Sequence, residues 1–139
     1  VLTFGSDPIP FQWLAQYRDT CDNTKFIDID FSELMLSKRE IILNTPKMKD
    51  LLSNPTTTLG SDVLLDSEEY AAIGCDLRNL KRLERLLKTV VDIDQCLVLC
   101  IAEVSITYMS VDDSDALIAW TTTLSPGMFW SVLLIAIPY

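Results

Sequence analysis

Three acidic residues each close a short apolar run: Asp30 in FIDID, Asp76 in YAAIGCD and Glu103 in LVLCIAE. Each run leads towards a helical pattern. Acids so placed project from the carboxyl ends of parallel strands, where an open α/β sheet takes nucleotide-like ligands. Packing does not account for three of them on one sheet edge, because a buried carboxylate without a partner is costly. Asp30 stands roughly 25 residues beyond Gly5, the place of a ribose-gripping acid in such sheets. Its carboxylate can accept charge-assisted hydrogen bonds from two vicinal hydroxyls. Asp28 alternates with Ile27 and Ile29 and competes for the role; Asp30 is preferred. Asp76 can accept from an exocyclic amine, with Leu77 packing on the base, and it can equally cap the following helix. Glu103 requires a cleft or a cation, either a sulfonium or ammonium ligand or an arginine such as Arg78. Tyr108 and Met109, just beyond, either line the same pocket or pack in the core.

A glycine loop, GSDP at Gly5 to Pro8, follows the opening run VLTF and precedes a short helical pattern. A loop of this kind can place backbone N–H groups near a ligand at the start of a helix; an ordinary βα turn is the alternative. The full GxGxxG fingerprint is absent, since Thr3 stands where a first glycine is expected, and this argues against a nicotinamide dinucleotide enzyme.

The elements that must position these residues alternate as β-α-β-α-β-α-β-α-β, which predicts right-handed crossovers and a mostly parallel sheet. VLTF reads as a strand, 11–18 as a helix with Phe11, Leu14 and Ala15 on one face, and KFIDIDF as the second strand. Ser32 is placed to cap a helix striped by Leu34, Met35, Ile41, Ile42 and Met48, which Pro46 ends or kinks. The turn-rich segment 53–69 reads as a surface insertion loop. YAAIGCD is a strand. LRNLKRLERLLKTVV is an amphipathic helix with Leu80, Leu83, Leu86, Leu87 and Val90 inward and Lys81, Arg82, Arg85 and Lys88 outward. CLVLCIAE reads as a strand buried on both faces. Ser110 or Asp112 opens a helix through Trp120, and 128–137 forms a last strand.

The 139 residues suffice for one domain with one core. With 49% hydrophobic and 22% charged residues the chain is globular rather than disordered. Its net charge of −9 excludes a general phosphate-binding surface, so a nucleic-acid partner needs a local basic patch or another part of the protein. The absence of histidine excludes imidazole metal sites and histidine bases. Cys21, Cys75, Cys96 and Cys100 form no CxxC pair and read as structural thiols of a reduced, cytoplasmic protein without a metal. No signal peptide is visible. The apolar end MFWSVLLIAIPY has roughly half the length a membrane helix needs, so a buried strand is expected and no membrane partner.

Taken together, GSDPIPF at Gly5 to Phe11, DIDF at Asp28 to Phe31, GCDLRNL at Gly74 to Leu80, AEVSITYM at Ala102 to Met109 and SDALIAW at Ser114 to Trp120 resemble the leucine carboxyl methyltransferase family. The motifs stand in the family's order over nearly the whole chain. The resemblance implies a Rossmann-like S-adenosylmethionine-dependent methyltransferase fold, with helices on both faces of a mostly parallel sheet. It implies that residues 1–139 are a partial methyltransferase domain truncated at both ends. By resemblance Gly5 borders the methionine portion of S-adenosyl-L-methionine, Asp30 holds the ribose, Asp76 and Leu77 the adenine, and Glu103 the methionine end. No catalytic base is implied. FSELMLSKREIILNTP and IAEVSITYM look more like the branch that methylates a wybutosine precursor on tRNA-Phe. The other branch methylates the terminal leucine of the protein phosphatase 2A catalytic subunit and is the alternative substrate. An inactive cofactor-binding or scaffold fragment is the third reading.

Overall fold

The computed structural model describes residues 1–102 and 105–124. Five strands form one sheet: β1 (Leu2–Phe4), β2 (Phe26–Asp30), β3 (Val63–Asp66), β4 (Tyr70–Gly74) and β5 (Cys100–Ile101). Their order is β3-β4-β2-β1-β5. β4, β2, β1 and β5 run parallel, and β3 pairs antiparallel with β4. The helices are α1 (Ile9–Gln16), α2 (Ser32–Asn44), α3 (Pro46–Lys49), α4 (Leu80–Val90) and α5 (Val111–Thr121). The protein is thus α/β with a mixed sheet, compatible with a Rossmann-like fold.

The central strands are apolar almost throughout because both of their faces are covered. Alternate side chains feed two cores. Ile27, Ile29, Ala71 and Ile73 pack with Leu83 and Leu87 of α4 and Leu117 of α5. Phe26, Tyr70 and Ala72 pack with Phe11 and Leu14 of α1 and Met35 and Ile42 of α2. Leu83 and Leu87, four residues apart on one helix face, are completely buried; each such leucine contributes about 1.5–3 kcal/mol over an exposed one.

Several sequence expectations need correction. The segment 53–69 is not all loop: it carries β3, whose Leu64 and Leu65 are buried, and Thr56 bridges back to Asp66. Pairing with β4 makes this strand, which its short VLLD run does not announce. Ser32 does not cap α2; Phe31 holds the cap position, without a side-chain hydrogen bond. The buried stripe of α2 is Met35, Lys38 and Ile42, while Leu34 and Ile41 are exposed and Met48 is half-buried. α1 buries Pro10, Phe11 and Leu14 but leaves Ala15 exposed. β5 is only two residues long, and Leu97 before it is exposed. Asp76 does not cap α4; Asn79 does, its side chain accepting from the Arg82 amide. α2 ends at Asn44, and Pro46 opens α3. Ser110 caps α5 by accepting from the Asp113 amide. The last expected strand, 128–137, lies outside the described residues. Among the described residues no helix is long and apolar enough to cross a membrane.

Candidate functional site

The strand order reverses at β1. The chain steps outward from β1 to β2 and β4, then returns to lay β5 on the other side of β1. In an open parallel sheet such a reversal leaves a crevice at the carboxyl ends of the strands. A cavity of about 770 Å³ opens there, walled by the loop 5–8, the ends of β2 and β4, and the segment 105–110.

Gly5 forms one wall. Its φ is +140°, a conformation closed to most side chains. Its amide donates to the Ile29 carbonyl at 2.9 Å, which binds the loop to the end of β2. Opposite it, the Ser105 Cβ lies 3.8 Å from where a Gly5 side chain would begin.

Asp30 is half-buried at the end of β2 and lines the cavity. Its Oδ1 accepts from the Phe31 amide at 2.8 Å. Its second oxygen has no partner among the described residues. The carbonyl of Asp30 accepts from the Cys75 amide at 2.9 Å, so the ends of β2 and β4 are held side by side.

Asp76 and Leu77 line the cavity from beyond β4. Arg78 occupies both oxygens of Asp76: its Nε donates to Oδ1 at 2.9 Å and its Nη2 to Oδ2 at 2.5 Å. The Arg78 backbone amide also donates to Oδ1 at 2.9 Å. These bonds to Arg78 hold the Asp76 carboxyl below the usual aspartate range despite some desolvation. Gly74, two residues earlier, allows β4 to end against α2: a Cβ there would stand 2.9 Å from the Ser32 Cα. Tyr108 is 85% exposed at the rim. Met109 lines the cavity and also packs on the core. Glu103 lies outside the described residues.

Asp28, the rival of Asp30, does not reach the cavity. It is wholly buried between β2 and α2. Lys38 Nζ donates to its Oδ2 at 2.5 Å, and the Tyr70 hydroxyl donates to the same oxygen at 2.7 Å. Lys38 Nζ also donates to the Asp7 carbonyl at 2.5 Å. The buried Thr3 stands beside Asp28 in register on β1. Its hydroxyl and the Asp28 Oδ1 are both buried without a hydrogen-bond partner among the described residues. Burial raises the Asp28 pKa, against the opposing pull of Lys38, Tyr70 and Thr3. Burial and the neighbouring Asp28 charge push Tyr70 well above its ordinary value, so it remains a neutral donor. Sequence reasoning missed Lys38. The available signal was a charge at the 3-4 spacing between Met35 and Ile42, opposite an acid on the inward face of β2.

Among the described residues no group of three histidine, cysteine or acidic side chains is placed to hold a metal. Cys21, Cys75 and Cys100 are buried thiols. Burial pushes the Cys100 thiol up to about 11.

An α/β sheet with a reversal crevice, a glycine-walled loop and a free strand-end carboxylate belongs to the class that binds ligands at strand ends. No family model matches the chain. Curated relatives do. The chain is 40% identical over 128 residues to tRNA wybutosine-synthesizing protein 4 of Gibberella zeae, covering 90% of this chain and 12% of that protein. It is 42% identical over 130 residues to the protein of the same name from Aspergillus fumigatus, covering 93% and 12%. The Eremothecium gossypii protein is 32% identical over 118 residues, covering 82% and 17%. Over nearly all of its length the chain is therefore similar to one segment of the proteins that carry this name. It spans about an eighth of the length of the first two.

Proposed function

We propose that this segment is the cofactor-binding part of an S-adenosylmethionine-dependent carboxyl O-methyltransferase that acts on the wybutosine precursor side chain of tRNA-Phe. One observation carries the reading. A chain 40% identical to wybutosine-synthesizing proteins gathers Gly5, Asp30, Asp76 and Leu77 of its motifs around one cavity.

The residues present fit such a cofactor. The cavity of about 770 Å³ lies within the ordinary range of roughly 300–1,000 Å³ for small-molecule sites. The partnerless oxygen of Asp30 suits a ribose hydroxyl. Gly5 leaves the loop wall without a side chain where the methionine portion would pass. Leu77 offers an apolar surface to the adenine. Arg78 makes four hydrogen bonds to Asp76, two on each oxygen, so in the proposed complex the exocyclic amine takes the place of one of them. Glu103 is proposed for the methionine end.

When bound, the cofactor supplies an electrophilic methyl group on sulfur. The acceptor carboxylate is already an anion at neutral pH, so no residue need remove a proton, which suits a chain without histidine. The work of this chain is to orient and to exclude water. Fixed orientation alone lowers such barriers by about 7–11 kcal/mol in well-aligned systems, and desolvation of the attacking oxygen adds to this. A charge of −9 repels tRNA phosphates, so the basic surface for tRNA is proposed to lie elsewhere in the protein. The relatives named above lend nothing to the phosphatase alternative.

Isothermal titration of the purified chain with S-adenosylhomocysteine tests the reading. Micromolar binding is expected. A folded sample that binds no S-adenosylhomocysteine refutes the cofactor assignment.

A further inference from the structure

We infer that Lys38 is a positioning residue for the cavity: it anchors the loop 5–8 to the buried Asp28 and thereby sets the wall against which the ligand lies. The inference rests on the proposed cofactor site. Lys38 is 8% exposed, and its ammonium makes two hydrogen bonds that lead to different places. One goes down into the sheet, to Asp28 Oδ2; the other goes up to the Asp7 carbonyl in the cavity wall. Asp7 in turn starts α1, since its Oδ1 accepts from the Ile9 amide at 3.2 Å, and the Pro8 carbonyl accepts from the amides of Phe11 and Gln12 at 3.1 Å each.

A buried ion pair is a poor device for stability alone, because desolvation offsets most of its attraction and an apolar pair often does as well. A cation with a second, directed bond does something an apolar pair cannot. It fixes one carbonyl of a loop that otherwise has few ties: Gly5 is bound to Ile29, and Pro8 has no amide to donate. Tyr70 completes the anchor from below. Its hydroxyl shares Asp28 Oδ2, and its ring lies 5.8 Å from the ammonium. The lysine therefore reads the position of the sheet and transmits it to the loop.

The test compares the whole chain with its Asp28→Asn/Lys38→Met variant, which leaves no buried charge behind, and with Tyr70→Phe, which disturbs Asp28 but spares the bond to Asp7. Amide exchange at Ile9, Phe11 and Gln12 is followed by NMR, beside global unfolding in urea and titration with S-adenosylhomocysteine. In the double variant, exchange at these three amides should speed up at least tenfold while amides of β2 and β4 keep their protection, and affinity should fall about tenfold. In Tyr70→Phe the three amides should be unchanged. Equal loop protection in the double variant and the wild type overturns the inference, as does loss spread evenly over the sheet. Should the double variant not fold, Asp28→Asn/Lys38→Gln carries the same two outcomes, because its neutral side chain is one bond shorter and draws the donor back from the Asp7 carbonyl while leaving no buried charge. If the wild type binds no S-adenosylhomocysteine, the cofactor reading fails while the exchange data still decide the role of Lys38.

Discussion

Asp28 and Asp30 sit two residues apart on one strand, and the alternation of a strand turns both to the same face. Their fates differ completely. Asp28 is sealed under α2, bonded to Lys38 and Tyr70, and makes no contact with the cavity. Asp30 has passed the end of the cover: it is half-buried, with one oxygen on the Phe31 amide and the other unclaimed among the described residues. One strand thus carries a structural acid and an available acid, separated by one pleat. The boundary between them is where the sheet stops being core and becomes site. What draws that boundary is not the acids but the start of α2, which covers one and leaves the other.

The largest effect expected from disturbing this pair comes from Lys38→Met alone. The Asp28 carboxylate is then left buried without a countercharge, and stability should fall by about 3–5 kcal/mol, read from urea unfolding. Adding Asp28→Asn should restore most of it. A loss no greater than that of an ordinary surface substitution would mean that Asp28 is not charged in the folded state. The pH dependence has a defined sign. Because burial raises the pKa of Asp28 in the fold, its contribution to stability is full below the unfolded value of about 3.9 and is lost as pH rises through the folded value. Relative to the Asp28→Asn/Lys38→Met variant, the wild type should lose ground as pH rises above about 4. A flat difference across that window would contradict the burial penalty.

The other half of the comparison is tested at Asp30. Asp30→Ala should leave stability nearly unchanged, because the side chain is half-exposed and makes one local bond. Binding of S-adenosylhomocysteine should weaken by one to two orders of magnitude, about 1.5–3 kcal/mol for lost charged hydrogen bonds. Unchanged affinity in calorimetry would remove Asp30 from the site and leave the two acids alike in having no part in binding.

How far this arrangement can be read from the residues depends on whether a signal is local. The helix α4 is legible because Leu80, Leu83, Leu87 and the charges between them repeat at helical spacing within the segment itself. β2 and β4 are legible because short, mostly apolar runs, FIDID and YAAIGCD, each end on an acid. The ends of those runs point to Asp30, Asp76 and Leu77, and the loop after the opening run points to Gly5; the structure brings all four to one cavity. β3 was not legible: VLLD is short, it follows turn chemistry, and its strand character is supplied by β4. Lys38 was hidden for the same reason. A lysine on a helix reads as solvated unless the acid opposite it is known to be buried, and that acid lies on another element. The misplacement of the Ser32 cap and of the outward Leu34 and Ile41 has a related cause, since the face that α2 buries is decided by the sheet beneath it.

Gly74 tests the boundary from the other side. The end of β4 and the start of α2 meet there, and a methyl group would stand 2.7 Å from Ser32 Oγ and 2.9 Å from the Ser32 Cα. The hydroxyl can rotate away; the backbone cannot. Gly74→Ala should therefore displace the first turn of α2, at a cost of about 1–3 kcal/mol for overpacking in thermal or urea unfolding. Because that turn follows Phe31 and carries Leu34, both on the cavity wall, ligand affinity should fall with it. Full stability in Gly74→Ala would show that the cover over Asp28 has slack.

The smallest effect is expected at Arg78, and it separates pairing from burial. Arg78 holds Asp76 with the same chemistry by which Lys38 holds Asp28, but at the surface, where the two side chains are 56% and 35% exposed. Solvent screens an exposed pair and leaves it little net effect on stability, so Arg78→Ala should barely move the unfolding midpoint. The sign of its pH dependence is opposite to that of Asp28. Asp76 titrates below its ordinary value because of Arg78, so its contribution is present above about pH 3.9 and is lost as pH falls through the folded value. In a carboxyl NMR titration, Arg78→Ala should return Asp76 towards the ordinary aspartate range and leave Asp28 where it was. If Asp76 kept its depressed value without Arg78, the turn from Asp76 to Asn79 rather than the guanidinium would be what holds it. Burial would then no longer be the only difference between the two paired acids.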